Sequence, residues 1–570
     1  MDLKILKLPF LFFCIIIGLF GGMQPLHSSL FGLIGTAGLI LLASDLAKEK
    51  TSRAFKISLF LNIIINLCIF HFIWIGVHNL SGSNLFVSFL AFLFYSIFLN
   101  SKVFLFLFLS HFVLKKTEIS KTFFFPTLAL SLDLFLYQLF PWHFGDLISS
   151  DVFSLQIASL TGIYGLSFLS FLYPSVLLSL FGRLYQKKKQ IDFPLFKRES
   201  LYFPLLLIFT VYLYGFIRVI SFPKGTEENL NIALVQTNTA VGTLQAREDE
   251  AYAKEALNKV FNYSLKAIFE AGKEGLDLLI LPESAVPFFS TEATKDNLEK
   301  KAYSSTFQGI ILFLSRISSV SILYNEVNFE NQSAYNSATL FSRTDKTKEI
   351  YHKQILVPFG ESLPFSFLEK LFPESSKYKK SQKKIRSLSL KLINHKNLSL
   401  NPQDINPDKL GEINRPESIF HSMNIQNYDR EIKLLPLLCY EAIFPEFVRE
   451  AFLEKEKPEI IINQVNDSWF GNLWENHQHN GIAIVRAVET GRYFIRSSLS
   501  GVSSVTSPIG NQVISETKIN TEDIRIFKIP VRETIKDTPY IIFGNLVNYI
   551  ILLFFGIILF VSFYNKHLRK

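Results

Sequence analysis

Three short segments of the chain carry a reactive side chain at the end of an apolar run or beside a turn. Glu283 closely follows the apolar residues 278–281, and Cys439 directly follows the apolar residues 434–438. Lys353 precedes a turn rich in proline and glycine. Catalytic groups commonly lie on loops held at the ends of such elements. The three residue types together indicate nucleophilic chemistry at a thiol.

Each residue taken singly has an ordinary explanation. A lone glutamate after a strand is usually solvated, a lone lysine is usually a surface charge, and a buried cysteine usually packs as a small hydrophobe. Cys439 stands out because the other two cysteines, Cys14 and Cys68, lie in long apolar segments. Three cysteines encode no disulfide framework. A free thiol in an oxidising compartment is a liability unless it is used.

Two further features could indicate a site. His477 and His479 lie two residues apart, but no third Cys or His is near them in sequence, so we predict no metal and no cofactor. Asp133 is an acid inside an apolar segment, where an ionisable group is by default a functional candidate. It could equally face a hydrated groove between helices.

The composition of the 570-residue chain is that of a membrane protein. Hydrophobic residues make up 49% of it, and charged residues make up 19%, against about 25% in an ordinary soluble domain. This balance excludes a disordered chain and argues against a purely soluble enzyme. The net charge of +9 could suggest nucleic acid. The positions of the basic residues indicate instead the inner face of a membrane, so no nucleic-acid partner is predicted.

Eight apolar stretches approach or reach the roughly 20 residues that a spanning helix needs. They cover residues 8–22, 28–43, 57–77, 85–114, 123–140, 152–181, 201–220 and 541–563. The fourth contains Asn100, Ser101 and Lys102, so it is either one long helix or a broken one. The first lacks a small-residue cleavage site near its end, which favours an anchor over a cleaved signal peptide.

Basic residues in the short loops predict the orientation of these spans. They lie at the N-terminus, after the second, fourth and sixth spans, and in the tail: Lys4, Lys7; Lys48, Lys50, Arg53, Lys56; Lys115, Lys116, Lys121; Arg183, Lys187, Lys188, Lys189, Lys197, Arg198; Lys566, Arg569, Lys570. The alternate loops contain no Lys or Arg. We therefore expect both termini inside, with residues 1–222 forming a membrane domain, residues 223–539 a domain outside the cytoplasm, and residues 540–570 a last helix and tail.

Short apolar runs separated by helical patterns predict a layered α/β fold for the outer domain. The runs cover residues 232–235, 278–281, 310–314, 320–323, 434–438 and 460–462, and the helical patterns cover residues 248–266 and 482–490.

The three reactive segments together resemble the apolipoprotein N-acyltransferase family, polytopic membrane enzymes with a nitrilase-like domain of the carbon-nitrogen hydrolase superfamily. The matching segments are Pro282-Glu283-Ser284-Ala285, the run from Lys353 to Glu361, and Cys439-Tyr440-Glu441 through Pro445. Further matches are Asn466 to Gly471, Gln478-His479, Arg486 to Arg492, and, in the membrane part, Phe140-Pro141-Trp142, Gly162 to Phe168, and Thr538-Pro539-Tyr540 with Gly544. The resemblance covers nearly the whole chain, and a soluble nitrilase would lack the membrane motifs.

The resemblance implies an αββα sandwich outside the inner membrane of a bacterium, and a two-step transfer. A phospholipid acyl chain moves to Cys439 and then to the α-amine of a diacylglyceryl-modified cysteine on an apolipoprotein. Glu283 would act as general base and Lys353 would stabilise the oxyanion.

The supporting residues implied by the resemblance are Glu361, Tyr440 and Glu441. Glu361 would orient Lys353, and the backbone N–H of Tyr440 would be a second oxyanion donor. Glu441 would hold the loop or assist the amine.

We expect a monomer.

The chain departs from the family pattern in places. Leu244-Gln245 stand where the family frequently has Lys-Trp. Leu130 and Asp133 occupy the positions where the fifth span often has an acidic and a basic residue. Near the end of the domain, Leu499 or Ser500 replaces an Asn that precedes a Gly. The insert at residues 375–429 is rich in Lys, Ser and Asn. It is either a solvated loop or a basic stretch that rests on anionic head groups. The apolar residues 358–372 either touch lipid or pack as core.

Two other function classes stay open from the residues. One is a membrane-tethered nitrilase or amidase that hydrolyses a C–N bond, which would have a polar pocket. The other is a non-catalytic lipid-binding relative, which loss of Glu283, Lys353 or Cys439 would have favoured; all three are present.

Overall fold

The structure is a computed structural model. It describes residues 3–117, 119–189, 201–222, 229–239, 250–286, 298–330, 333–344, 347–358, 360–362, 378–392, 430–471, 474–531 and 536–568. A helical part made of the N-terminal residues and the C-terminal helix packs against an α/β domain.

The helical part is built from apolar helices. They are α1 (Leu3–Gly22), α2 (Ser29–Leu46), α3 (Thr51–Ile69), α4 (Phe72–Ser81), α5 (Leu85–Phe94), α6 (Lys102–Lys116), α7 (Lys121–Phe135), α8 (Val152–Leu155), α9 (Ala158–Thr161), α10 (Ile163–Lys189) and α11 (Tyr202–Ile220). The α/β domain contributes α12 (Glu250–Ala271), α13 (Leu298–Ser318), α14 (Pro445–Glu450) and α15 (Glu475–Thr490). The chain then returns through α16 (Pro539–Phe543) and α17 (Leu546–Leu568).

The outer faces of the helical part are apolar. In α11 and α17 the exposed large side chains include Phe203, Leu206, Phe209, Phe216, Leu553, Phe554, Ile557 and Phe560. A contiguous apolar surface of this kind is unstable in water and indicates contact with lipid. The composition-based expectation of a membrane domain is confirmed.

Five helical segments within the described residues are long and apolar enough to cross a membrane. They are Ser29–Leu46, Thr51–Ile69, Leu85–Lys116, Ile163–Leu184 and Tyr202–Ile220. Shorter apolar helices cover Lys7–Gly22, Val152–Thr161 and Leu546–Val561. The number of eight spans therefore stays a prediction.

Several predicted spans have different bounds from those expected. The fifth ends at Phe135 instead of residue 140, and the eighth is divided into α16 and α17 at Gly544. The third ends at Ile69, and the chain starts a new helix at Phe72. The fourth is the broken alternative: α5 passes into a π-helical turn at Tyr95–Leu99, and α6 begins at Lys102.

The sixth predicted span is interrupted before Ile163 because Gly162 adopts φ +67°, where a side chain would meet the ring of Tyr540 at 2.7 Å. Residues 152–161 form the two short helices α8 and α9.

A buried polar network inside the helical part fixes the loop after α7. Lys102 pairs with Asp133, and both side chains are fully buried. Lys102 also donates to the carbonyl of Trp142, and Asp133 accepts from the N–H of Phe144 at 2.8 Å. The indole of Trp142 donates to Asn100 at 2.8 Å. Asp133 therefore faces a specific lysine rather than a hydrated groove, and the loop it holds forms part of the cavity described below.

The α/β domain is a sandwich of two sheets. The strands are β1 (Asn229–Gln236), β2 (Leu278–Ile280), β3 (Ser321–Glu330), β4 (Ser333–Phe341), β5 (Lys348–His352), β6 (Leu388–Leu392), β7 (Arg430–Leu438), β8 (Ile460–Val465), β9 (Tyr493–Ser498), β10 (Ser504–Thr506) and β11 (Asp523–Pro530). One sheet has the order β11-β1-β2-β3-β4-β5, and the other has the order β10-β9-β8-β7-β6.

The layers follow the alternation of side chains along the strands. Leu234 of β1 and Leu434 of β7 belong to one shared core between the sheets. The opposite face of the first sheet packs on Val260 of α12 and Phe307 of α13, and the second sheet packs on Ala487 of α15. The predicted αββα arrangement is confirmed.

One predicted apolar run of this domain is not a strand. Residues 310–314 lie within α13, whose buried residues Phe307, Ile311 and Leu314 recur at spacings of four and three. That is helical periodicity, and a five-residue window was too short to distinguish it from a strand.

Part of the insert belongs to the fold. β6 pairs antiparallel with β7, so residues 388–392 extend the second sheet. Lys383 pairs with Glu330 at 2.8 Å, and Lys384 pairs with Glu454 at 3.0 Å. Residues 378–387 form neither helix nor strand, and the side chains of Lys383 and Lys384 are 65% and 84% exposed, which agrees with the solvated-loop alternative. Residues 375–377 and 393–429 lie outside the described residues.

We predict that Asp133→Asn destabilises the protein by about 3–5 kcal/mol, because it leaves the ammonium of Lys102 buried without a counter-charge. The double variant Lys102→Met/Asp133→Leu should recover most of the loss. The melting temperature of detergent-solubilised protein measures both effects. Asp45→Asn is the matched control, because its pair with Lys7 is solvent-exposed and worth at most about 1 kcal/mol. Equal losses for Asp133→Asn and Asp45→Asn would contradict this account.

Candidate active site

Glu283 lies just beyond the carboxyl end of β2 and is buried. The neighbouring Ser284 has φ +58°, and its N–H donates to Asn325 at 2.9 Å. Asn325 also donates to Asn336 at 2.6 Å, and Asn336 donates to the Glu283 carboxylate at 2.8 Å. Two buried asparagines from β3 and β4 therefore fix the position of this carboxylate.

Lys353 follows the end of β5 and is almost completely buried between two carboxylates. Its Nζ lies 3.1 Å from Glu283 and 3.0 Å from Glu361. Asn336 also donates to Glu361 at 2.8 Å, so one amide bridges both acids. The N–H of Val357 donates to the other oxygen of Glu361 at 2.8 Å, which ties the acid to the turn after Lys353.

The charges of this group shift one another's protonation. Burial raises the pKa of Glu283, Lys353 opposes that shift, and Glu361 adds to it. Burial alone would lower the pKa of Lys353, but Glu283 and Glu361 hold it well above its usual value. Lys353 therefore stays charged, and the pKa of Glu283 lies above that of a free carboxyl, which suits a group that both accepts and returns a proton.

Cys439 begins a turn of 3₁₀-helix directly after β7 and has φ +47°. This left-handed conformation is costly for a residue with a side chain, and strain of that kind clusters at functional sites. Asn463 of β8 donates to the carbonyl of Cys439 at 3.2 Å and so supports the turn. Burial and the charge of Glu283 raise the pKa of the thiol well above its usual value, while Lys353 acts to lower it. The resting thiol is therefore protonated and needs a base.

Glu441 ties the cysteine turn to the lysine segment. It accepts from the N–H of Leu438 at 2.9 Å, the N–H of Gln354 at 2.6 Å and the hydroxyl of Tyr351 at 2.8 Å. Burial raises its pKa to about 7. With so many donors engaged, Glu441 holds loops together.

Tyr440 joins the site to the helical part. Its hydroxyl donates to the carbonyl of Leu139 in the loop after α7, and its ring packs edge-on against Phe140 with centroids 5.5 Å apart. The Asn79 amide of α4 donates to the carbonyl of Trp469 at 2.8 Å, a second link between the two parts.

Cys439 lines a cavity between the α/β domain and the helical part. The helical part contributes a majority of apolar residues, Met23, Phe70, Phe72, Phe140, Pro141 and Trp142, and the polar Gln24, His27, Asp146 and Ser149. The domain contributes Tyr440, Ile443 and Phe470, together with the polar Glu475 and His479. Cys439 therefore faces a cavity whose walls are mostly apolar and come from both the helical part and the domain.

A charged cluster lies beside the thiol. Asp467 pairs with Arg496 and with His479, whose Nδ1 is 3.1 Å away. Ligand atoms of Cys439, Asp467 and His479 lie within 4.8 Å of one another, which is also a metal-binding spacing. The guanidinium of Arg496 already neutralises Asp467, so the arrangement fits an internal ion-pair network better than a cation site.

The structure brings the sequence-predicted residues together as a group. Glu283, Lys353 and Glu361 are in direct contact, and the charges of Glu283 and Lys353 act on the thiol of Cys439. Sequence reasoning missed Asn336, Asn325, Arg496 and Glu475, since isolated polar residues in strands and helices carry no motif. Asp467 was quoted in a matching segment without a role. Leu244-Gln245, Phe359 and residues 363–372 lie outside the described residues.

Comparison with known families and proteins agrees with this geometry. The Carbon-nitrogen hydrolase family matches residues 231–539, and the Apolipoprotein N-acyltransferase N-terminal domain family matches residues 17–176. Apolipoprotein N-acyltransferase 1 of Leptospira interrogans is 33% identical over 96% of this chain and 95% of the relative. Apolipoprotein N-acyltransferase 2 of the same species is 28% identical over 74% and 73%. The Apolipoprotein N-acyltransferase of Rickettsia typhi is 28% identical over 71% and 68%.

We predict that Asn336→Ala slows acylation of Cys439 by about 10- to 100-fold, as loss of an orienting donor to a general base should. The Asn336 hydrogen bond lowers the pKa of Glu283. Its loss raises that pKa, so the fraction of ionised base falls and the acid limb of the pH–rate profile moves to higher pH. Single-turnover acylation across pH measures both effects. Asn328→Ala, in the neighbouring strand β3, should leave the profile unchanged. An unshifted profile for Asn336→Ala would contradict the proposed link to Glu283.

Proposed function

We propose the following mechanism for this chain, which belongs to the apolipoprotein N-acyltransferase family and performs acyl transfer in lipoprotein biosynthesis. The chain is an acyltransferase with a nitrilase-type domain. We propose a phospholipid as acyl donor, a thioester on Cys439 as intermediate, and the α-amine of a diacylglyceryl-cysteine at the N-terminus of an apolipoprotein as acceptor. No cofactor takes part in this scheme.

The observation that carries this proposal is the apolar cavity on which Cys439 lies. Its walls include Phe70 and Phe72 from the helical part and Phe470 from the domain. An acyl chain entering from lipid would stay among apolar groups there and avoid the cost of exposure to water, which is about 0.8 kcal/mol per methylene. A small amide or nitrile substrate would need polar walls instead, so the cavity favours the acyltransferase over an amidase.

In the first step Glu283 takes the proton of the Cys439 thiol as the sulfur attacks the ester carbonyl of the donor. Lys353 neutralises the charge that develops on the carbonyl oxygen, and the N–H of Tyr440 is the second donor we propose for it. The tetrahedral intermediate then expels the glycerol oxygen, which receives the proton from Glu283. The products are a lysophospholipid and the acylated cysteine.

In the second step the acceptor amine attacks the thioester carbonyl. A C–N bond forms, the C–S bond breaks, and Glu283 passes the amine proton to the departing sulfur. Glu361 keeps Lys353 in place through both steps. The cavity walls exclude water from the thioester, without which the intermediate would hydrolyse.

The location of the site follows from the same proposal. We propose that residues 1–222 form the membrane domain, residues 223–539 the catalytic domain on the periplasmic side of the inner membrane, and residues 540–570 the returning helix and cytoplasmic tail. The loop distribution of Lys and Arg supports this orientation. We propose that the enzyme acts as a monomer.

We predict that Cys439→Ser and Cys439→Ala abolish acyl transfer to a diacylglyceryl peptide while the protein still inserts and folds. A serine hydroxyl has a much higher pKa than a thiol, and the raised pKa of Glu283 does not make it a strong enough base for an alcohol. Transfer of labelled acyl chains from phospholipid vesicles measures the activity. Cys68→Ser is the matched control and should transfer normally. Cys439→Ala with activity near that of the unmodified enzyme would refute the mechanism.

We predict that alkaline phosphatase fused after Lys570 is inactive and that the same enzyme inserted between residues 393 and 410 is active. Alkaline phosphatase folds only outside the cytoplasm because it needs disulfides. Phosphatase activity of whole cells, normalised to the amount of fusion protein, is the measurement. The reverse pattern would overturn the orientation and the periplasmic location of Cys439.

A further inference from the structure

A charged cluster beside Cys439 takes no part in the two steps above. Asp467 lies in a turn of 3₁₀-helix after β8, and Glu475 and His479 lie on the first turns of α15. His479 Nδ1 is 3.1 Å from Asp467 Oδ1 and 3.4 Å from Glu475 Oε1. Arg496 pairs with the other oxygen of Asp467. His479 therefore connects the two acids of the cluster.

One carboxylate oxygen of this cluster has no partner. Glu475 Oε2 is buried without a hydrogen-bond partner among the residues that the structure describes, and so is His479 Nε2. The two residues are only 6% and 9% exposed. Buried polar atoms are nearly always hydrogen-bonded, so an unpartnered pair at a cavity wall points to a ligand.

The position of the cluster indicates which ligand group it meets. Glu475, His479 and Cys439 line the same cavity. Ligand atoms of Cys439, Asp467 and His479 lie within 4.8 Å of one another, so the cluster adjoins the sulfur that carries the acyl group. The group that must come closest to the thioester carbon is the attacking amine. The other ammonium that could enter the cavity is that of an ethanolamine head group on the donor. It is many bonds away from the ester that reacts, so it does not come as close to the sulfur as the attacking amine does.

We propose that Glu475 binds the α-ammonium group of the acceptor and removes the proton that keeps it from attacking, and that His479 positions Glu475. This inference rests on the proposed function. Because α-amines have pKa values of about 7.7–8.0, most acceptor molecules arrive protonated at neutral pH and cannot attack. Within this cluster Arg496 already neutralises Asp467 and His479 contacts Oε1 of Glu475, so Oε2 of Glu475 is the carboxylate oxygen left to meet the incoming cation.

The protonation of the cluster agrees with this role. Burial and the charge of Asp467 raise the pKa of Glu475 to about 7, which is close to that of an α-amine. A proton can therefore pass between the two groups at little cost. Glu283 is less suited to this first deprotonation, because its carboxylate is already engaged by Lys353 and Asn336.

The protons and bonds balance over the second step. One ammonium proton moves to Glu475 and is later released to water. The neutral amine then forms the C–N bond with its lone pair as the C–S bond breaks. Its second proton passes through Glu283 to the sulfur, which restores the thiol. The acceptor nitrogen keeps one hydrogen in the amide product.

The test separates the two half-reactions of purified full-length enzyme. Wild type and Glu475→Gln are first acylated on Cys439 from phosphatidylethanolamine or from phosphatidylglycerol vesicles. The acyl-enzyme is then treated with a diacylglyceryl-cysteinyl peptide or with hydroxylamine, a nucleophile that is neutral at neutral pH. Glu516→Gln is the matched control, since Glu516 accepts from the side-chain amide of Asn480 in α15, next to His479, but does not line the cavity.

We expect Glu475→Gln to acylate normally from both lipids and to react normally with hydroxylamine. Transfer to the peptide should be about 10- to 100-fold slower, as loss of a hydrogen bond to a charged group would give. His479→Gln should show a smaller loss of the same pattern, whereas Glu516→Gln should match wild type throughout.

Three results would overturn the inference: normal transfer to the peptide by Glu475→Gln, equal slowing with peptide and hydroxylamine, or slowing confined to acylation from phosphatidylethanolamine. If Glu475→Gln does not fold, Glu475→Asp serves in its place, because the shorter side chain keeps the negative charge but moves the carboxylate oxygen away from the ammonium. Unchanged transfer to the peptide by Glu475→Asp would likewise refute the proposal. Failure of wild type to form any acyl-enzyme would instead refute the proposed function.

Discussion

The site depends on one buried positive charge, the ammonium of Lys353 between Glu283 and Glu361. A buried ammonium is unstable unless it is paired and hydrogen-bonded, and here two carboxylates at 3.1 and 3.0 Å meet that need. The three charges leave one negative charge in excess beside Cys439, which favours the protonated thiol. In the proposed mechanism Glu283 then accepts that proton, and the lysine that stabilises the buried acids is available for the oxyanion.

The second constraint is the contact between the domain and the helices. Tyr440 follows the nucleophile and bonds to the backbone of the loop after α7. That loop is in turn held inside the helical part by Lys102, Asp133 and Asn100. The wall of the cavity is therefore set by ionic and amide groups buried among apolar helices. These groups position the lipid-facing side of a site whose chemistry lies in the domain.

The sequence predicted what depends on local pattern. Apolar runs and the basic loops predicted a membrane part, its orientation and a layered α/β domain. The resemblance carried by the three reactive segments implied the αββα arrangement and the Glu-Lys-Cys group. The sequence did not reveal Asn336 or Glu475, because each belongs to the site through contacts with residues that are distant in the chain. It mistook residues 310–314 for a strand because a short window shows no period. It also did not predict that Asp133 would meet Lys102, since pairing between helices is set by packing that no single segment encodes.

The central claim is that Cys439 carries the acyl group, and the intact mass of the purified protein tests it most directly. After incubation with phospholipid vesicles and no acceptor, the account predicts an added mass equal to one acyl chain. Peptide mapping should place it on Cys439, and hydroxylamine should remove it. An unchanged mass, or an acyl group on another residue, would contradict the account.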